Sequence, residues 1–384
     1  MQKLHTANVA TVLDSATPAL VACGDPLVRR MHPFTYTGHA YRVLFGSGTI
    51  AQLPAEVERL GLTRVLVLAT PEQEDSAQAL AAQLAPRAAG VFAGARMHTP
   101  VDVTEHAMAH VAAARVDGLV AVGGGSTTGL AKAIALRTDL PQLVVPTTYA
   151  GSEMTPILGE TREGRKVTQR SPKVLPEVVI YDVDLTLTLP AGLSMTSGIN
   201  AIAHAVEAAY AQDRNPVITL MAVEGVRALF EALPRISAAP RDVDARSHAL
   251  YGAWLCGICL GSVGMALHHK LCHTLGGTFD LPHAETHTVL LPHAVAYNRG
   301  AAAEQIAAFE RALDVSDLAQ ALYDLAGRVG APRALSAIGM PERGVAQAAE
   351  LALSNPYWNP RPLDIGAIRR LLGRAFAGLP PQGD

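Results

Sequence analysis

Between residues 40 and 182 short β-branched runs alternate with longer stretches whose apolar residues recur at helical spacing, and after Pro190 the alternation stops. The runs Tyr41–Phe45, Arg64–Ala69, Ala89–Ala95, Gly118–Val122, Gln142–Val145 and Val178–Tyr181 read as strands. Glu74–Leu84, Val103–Arg115 and Ser126–Leu136 read as the helices between them. Such repetition predicts a parallel sheet with helices on both faces. The second half carries Ala/Leu-rich segments, Ser197–Ala211, Pro216–Leu233, Val243–Gly277 and Ala302–Val329, all of which read as helices. The expected fold is an α/β, Rossmann-like domain over residues 31–190, then an all-helical domain over 191–384, with residues 1–30 as an extension.

A length of 384 residues is too great for a single growing core, which agrees with two domains. The net charge of −3 provides no broad positive field, and no Lys/Arg run is interleaved with aromatics, so nucleic acid is not an expected partner. The longest apolar stretch, Ala253–Leu267, is interrupted by glycines and stops at His268, short of the roughly 20 apolar residues of a membrane span. The patch Thr17–Cys23 is too brief for a secretory signal. Four cysteines, unevenly placed, point to a reducing, cytoplasmic setting. Cys256-Gly-Ile-Cys259 has no second pair and lies in an apolar helical run, so it reads as buried small residues.

The run from Asp117 to Val122 leads directly into Gly123-Gly124-Gly125-Ser126 and a helix-compatible segment. A glycine turn from strand to helix lets the backbone approach a diphosphate, whose charge the helix amides favour. Gly124, Gly125 and Ser126 are therefore candidate cofactor contacts. The next strand ends in Pro146-Thr147-Thr148-Tyr149-Ala150-Gly151-Ser152-Glu153, at the edge where open parallel sheets bind ligands. Thr147, Thr148 and Ser152 offer hydroxyls there, and Tyr149 is a candidate substrate contact. At the end of the Arg64–Ala69 strand, where an acid would select the ribose of NADH, stands Thr70, so NADPH is expected to be tolerated beside NADH.

Asn200 and His204 are four residues apart, as are His269 and His273, so each pair shares a helix face. His283 follows a Gly-Gly and a proline that can turn it back on the preceding helix. Three imidazoles within reach of one point suit a divalent metal, but a neutral amide at Asn200 is a weaker donor than a carboxylate.

Gly123–Ser126, Pro146–Thr148 with Gly151–Glu153, Gly198–Glu207, and His269–His283 followed by Leu290-Leu-Pro-His293 together resemble the motifs of iron-containing alcohol dehydrogenases in order and spacing. The resemblance spans about residues 33–378. It implies a dimer whose site lies between a dinucleotide-binding domain and a helical domain. It places the family's metal ligands on Asn200, His204, His269 and His283, and a further active-site histidine on His273. It also places cofactor contacts on Lys166 and on the stretch ending at Leu187.

Asn200 in place of the usual aspartate, the short Pro146–Glu153 loop and Asn355-Pro-Tyr-Trp-Asn-Pro-Arg361 resemble the branch that reduces the double bond of maleylacetate to 3-oxoadipate in the breakdown of aromatic compounds. In that branch His273 is the expected proton donor, with His204, His269 and His283 stabilising charge. Tyr149, Ser152, Asn200 and Arg361 are candidates for holding the keto diacid. No metal requirement is expected; a metal, if held, would sit on Asn200, His204, His269 and His283. The competing readings are a metal-dependent alcohol or polyol dehydrogenase and a non-catalytic dinucleotide sensor.

Overall fold

Among the described residues, the alternating half forms eight strands: β1 (Arg42–Gly46), β2 (Val65–Leu68), β3 (Ala88–Phe92), β4 (Gly118–Gly123), β5 (Gln142–Pro146), β6 (Ile157–Arg162), β7 (Arg165–Arg170) and β8 (Val178–Asp182). Six of them make one parallel sheet in the order β1-β8-β5-β4-β2-β3, while β6 and β7 form a separate antiparallel hairpin. Helices α1 (Leu53–Arg59), α2 (Glu74–Gln83), α3 (Val101–Ala113) and α4 (Gly125–Thr138) cover the sheet. Every residue of β2, β4, β5 and β8 is buried, which is why these strands are continuous apolar runs rather than alternating ones. The computed structural model describes residues 33–39, 41–162, 165–355 and 357–383, the side chains of residues 165 and 166 excepted. Thr35–Asp384 is one unit; of the other, Met1–Phe34, only Pro33 and Phe34 are described, so the expected extension lies outside the described residues.

From Ala191 onward the structure is helical: α5 (Ala191–Ala209), α6 (Pro216–Ala238), α7 (Val243–Ser262), α8 (Leu267–Phe279), α9 (His283–Asn298), α10 (Ala303–Leu313), α11 (Leu318–Arg328), α12 (Gly344–Leu353) and α13 (Ile365–Ala377). The single helix expected over Val243–Gly277 is two, bent by 92° between α7 and α8. The turn is fixed by the Gly264 amide donating to Asp213 Oδ1 at 2.9 Å. The apolar pattern runs through the break because both helices are buried, so periodicity alone does not show it. The segment Ala302–Val329 likewise divides, at Asp314, which takes a left-handed conformation with φ 52°. The β6–β7 hairpin escaped the sequence reading because its second strand has a charged sequence and residues 167–170 of it are exposed.

Cys256 and Cys259 are fully buried in α7, as their apolar setting implied. Between them Gly257 packs against Gly151, whose φ is +76°. A Cβ on Gly151 would lie 3.0 Å from the Gly257 Cα, so this pair of glycines lets the loop after β5 rest directly on the helical half.

Candidate active site

Strand β4 ends at Gly123, whose φ of +150° is open only to glycine, and a Cβ there would fall 2.5 Å from Thr127 Oγ1. Gly124 is the N-cap of α4, and a Cβ on it would meet the Thr148 side chain at 2.9 Å. The first amides of α4 therefore lie bare beside the loop that follows β5, a cradle that suits a diphosphate. Gly125, Ser126, Thr148 and Ser152 line a cleft of about 740 Å³, while Gly124 and Thr147 lie behind its wall. There Thr147 donates its amide to Gly123 O at 3.0 Å and accepts from Gln73 Nε2 at 3.3 Å.

Thr70 precedes the short turn Pro71–Gln73 that follows β2, and Leu187 closes a short turn after β8; neither lines the cleft. The side chain of Lys166 lies outside the described residues. Behind the cradle, Lys132 is fully buried and donates to Ser152 O, Thr155 O, Thr155 Oγ1 and Ile157 O over 2.5 to 3.0 Å. It ties the cofactor helix to the loop carrying Ser152, while burial pushes its amine down to about 7 against the opposing charge of Glu153.

The opposite wall is built by three helices. Helix α5 brings Asn200 and His204 to the cleft, α8 brings His269 and His273, and the first residue of α9 is His283. All five candidates from the sequence thus meet at one cleft. His204 Nδ1 lies 2.9 Å from His269 Nε2, and His269 Nδ1 lies 2.5 Å from Glu207 Oε2. Glu207 also accepts the amides of His268 at 2.7 Å and His269 at 3.2 Å, so one buried carboxylate caps α8 and orients its first site histidine. His287, one turn after His283, is fully buried with its ring centroid 5.0 Å from that of His269.

Two expected substrate contacts are corrected. Tyr149 is fully buried, and its hydroxyl accepts from Arg246 NH1 at 3.2 Å; the buried guanidinium also donates to Ser194 Oγ and Leu189 O. Tyr149 satisfies Arg246 and is absent from the cleft wall. Arg361 stacks over the Tyr297 ring at 4.2 Å and donates to Tyr297 O, also away from the cleft. Among the cleft or near-cleft residues that the sequence reading missed are Glu207, His287, Lys270 and Tyr357. The available signal for Glu207 was its place one turn after His204 on the same helix.

Burial governs the charge of this wall. It pushes His204 and His287 well below the usual imidazole range, His268 down to about 4 and His269 down to about 3, with neighbouring imidazoles adding to the effect at each. It pushes the Glu207 carboxyl up. These imidazoles are neutral near pH 7, so each has one N–H to donate and one nitrogen able to accept.

Among the described residues, His204, His269 and His287 each place a ligand-type nitrogen within 4.8 Å of the other two. Asn200 adds a buried Oδ1 without a hydrogen-bond partner. Three neutral imidazoles, one backed by a carboxylate, fit a divalent ion. His283, the fourth residue of the expected ligand set, lines the same cleft, with its ring centroid 4.2 Å from that of His287.

A diphosphate cradle and an imidazole wall facing one another across a single cleft are the arrangement of a dinucleotide-dependent oxidoreductase. The chain belongs to the iron-containing alcohol dehydrogenase family. The model for iron-containing alcohol dehydrogenase matches residues 40–183, and that for the C-terminal part of the family matches residues 194–376. The chain is similar to a maleylacetate reductase from a Rhizobium species, 59% identical over 92% of this chain and 100% of that protein. Its fold matches the crystal structure of maleylacetate reductase from Agrobacterium tumefaciens with TM-score 0.89 at 57% identity, covering 91% of this chain and 100% of the other. A putative alcohol dehydrogenase from Ralstonia eutropha matches with TM-score 0.90, again at 57% identity and with the same coverage.

Proposed function

We propose that the protein reduces the carbon–carbon double bond of maleylacetate to give 3-oxoadipate, with NADH as reductant. The relatives described above support the substrate, and Asn200 is the observation that carries the chemistry. It lines the cleft as a neutral amide among neutral imidazoles, where the family pattern has an acid. At an effective dielectric of about 20, one carboxylate roughly 5 Å from a substrate carboxylate would cost about 3 kcal/mol. The amide removes that repulsion.

The nicotinamide, when bound in the cradle at the start of α4, supplies the hydride. The residues of this chain supply the rest. Addition at the alkene carbon remote from the ketone drives an electron pair onto the ketone oxygen. His204 and His269 spend their single N–H groups on His269 Nε2 and on Glu207, so the side-chain NH₂ of Asn200 on the same wall is the group that can donate to that delocalised oxyanion. His273, exposed on the cleft wall, gives a proton to the neighbouring carbon, and solvent returns it. An ion, if held by Asn200, His204, His269 and His283, would add Lewis-acid charge near the same oxygen. An enolate spreads its charge over carbon and oxygen, so we take the reaction not to require the ion.

Thr70 carries no charge against a 2′-phosphate, so NADPH is accepted as well. We further take the protein to act as a homodimer of 31–190 and 191–384 domains in a reducing compartment. Among the described residues, no single helix is long and apolar enough to cross a membrane.

The test is NADH oxidation with maleylacetate, with and without a strong chelator. Turnover to 3-oxoadipate that survives chelation is expected. Absence of turnover, with activity on simple alcohols instead, overturns the reading; turnover abolished by chelation and restored by metal overturns its metal-free part.

A further inference from the structure

With Tyr149 and Arg361 removed from the cleft wall, a keto diacid bound there needs other anchors. We propose that Lys270 and Tyr357 form the carboxylate-binding subsite of the cleft, the ammonium of Lys270 supplying counter-charge and the Tyr357 hydroxyl a neutral donor. The inference rests on the proposed function for the identity of the diacid.

Both residues line the cleft together with His269 and His273. Lys270 follows His269 in α8 and stands one turn before His273, so it shares a helix face with the expected proton donor. A carboxylate held there would leave the rest of a short diacid beside the imidazole wall. Of the two described lysines that line the cleft, Lys132 is committed to four oxygen atoms of its own chain. Lys270 makes no ion pair among the described residues, including with Glu285, the one acidic side chain described in the cleft wall. Its Nζ instead lies 5.5 Å from the centre of the Tyr357 ring. A cation over an aromatic face keeps its charge and its remaining donors, so the contact poises the ammonium without neutralising it.

Tyr357 supplies the second observation. Its hydroxyl is buried and has no hydrogen-bond partner. A buried hydroxyl left this way costs about 1–3 kcal/mol, and a carboxylate oxygen beside Lys270 would satisfy it. Burial also pushes the phenol well above its ordinary range, which keeps the proton needed for donation. The ring is held in place by its own segment. Asn359, two residues on, exchanges amide hydrogen bonds with Asn298 at 2.7 and 3.1 Å, and its Oδ1 accepts the amide of Leu267 at 3.4 Å. Residues 357–361 are thereby clamped to the end of α9 and the start of α8, next to Lys270.

The experiment compares the wild type with Lys270→Gln, Lys270→Arg and Tyr357→Phe. Steady-state kinetics are measured with maleylacetate, and calorimetry measures binding of adipate and of its monomethyl ester to the protein saturated with NAD. Lys270→Gln should raise KM for maleylacetate about ten- to hundredfold, and Tyr357→Phe about three- to tenfold. KM for NADH should stay within twofold and kcat within about fivefold, and Lys270→Arg should recover most of the loss. The preference for adipate over its monoester should collapse in Lys270→Gln. A maleylacetate KM unchanged in Lys270→Gln, or adipate binding equal in wild type and variant, overturns the subsite. If the wild type does not turn over maleylacetate, the proposed function fails by itself, and adipate binding still decides the subsite.

Discussion

The carboxylate of Glu207 meets Nδ1 of His269 at 2.5 Å, with both side chains buried beneath the cleft. The acid receives three N–H groups: the ring of His269 and the backbone amides of His268 and His269. It fixes the tautomer of His269, leaving Nε2 to face His204 at 2.9 Å. Glutamine in its place keeps the length of the side chain but turns one acceptor into an NH₂. Glu207→Gln should lower kcat about ten- to hundredfold with KM for NADH unchanged, and cost about 1–3 kcal/mol of stability. Unchanged turnover in a folded variant would show that the orientation of His269 does not matter.

His273 is exposed on α8, with its ring centroid 6.2 Å from that of His269. Because it is reached by solvent, its removal leaves no buried hole. His273→Phe should therefore fold normally and lose about 10²–10⁴ in kcat if it delivers the proton. Rapid-mixing measurement of the first turnover separates this step from product release, and a variant with near-normal turnover removes His273 from the role.

The contact between Gly151 and Gly257 joins the cofactor loop to α7. Alanine at Gly151 meets both a φ of +76° and a backbone atom 3.0 Å away. Gly151→Ala should cost about 1–3 kcal/mol and raise KM for NADH several-fold, because Thr148 and Ser152 on the same loop line the cleft. Gly277→Ala in α8, where an added Cβ meets nothing within 4 Å, is the matched control and should leave both unchanged.

What the chain disclosed in advance follows from how local each interaction is. Strands β2 and β4 are apolar along their whole length because helices cover both faces, so they are legible without tertiary knowledge. His204, His269, His273 and His283 are legible because helical spacing and a following Pro-His bring them together. Tyr149 was misplaced because its partner, Arg246, lies 97 residues away and competes for the hydroxyl. Lys270 was hidden between two histidines, where a helix face shared with His273 does not reveal a role. Tyr357 depends on Asn359 and Asn298, a pairing across 61 residues that no local pattern encodes.

His293 gives a stability prediction independent of catalysis. It is buried in α9 with Nε2 unpartnered, and burial first, then the charge of Arg374, push its imidazole down to about 4. The folded-state value lies below that of the unfolded chain, about 6.5. Between these values the unfolded chain binds a proton that the folded one does not, so stability falls as pH drops through the window and is unaffected above it. Two to three units correspond to about 3 kcal/mol for this one group. Urea unfolding of wild type and His293→Gln at about pH 7.5 and about pH 4.5 isolates it from the other buried histidines, which both proteins share. The stability difference should shift toward the variant by about 2–3 kcal/mol at the lower pH, and a difference independent of pH would mean that His293 titrates as an exposed imidazole does.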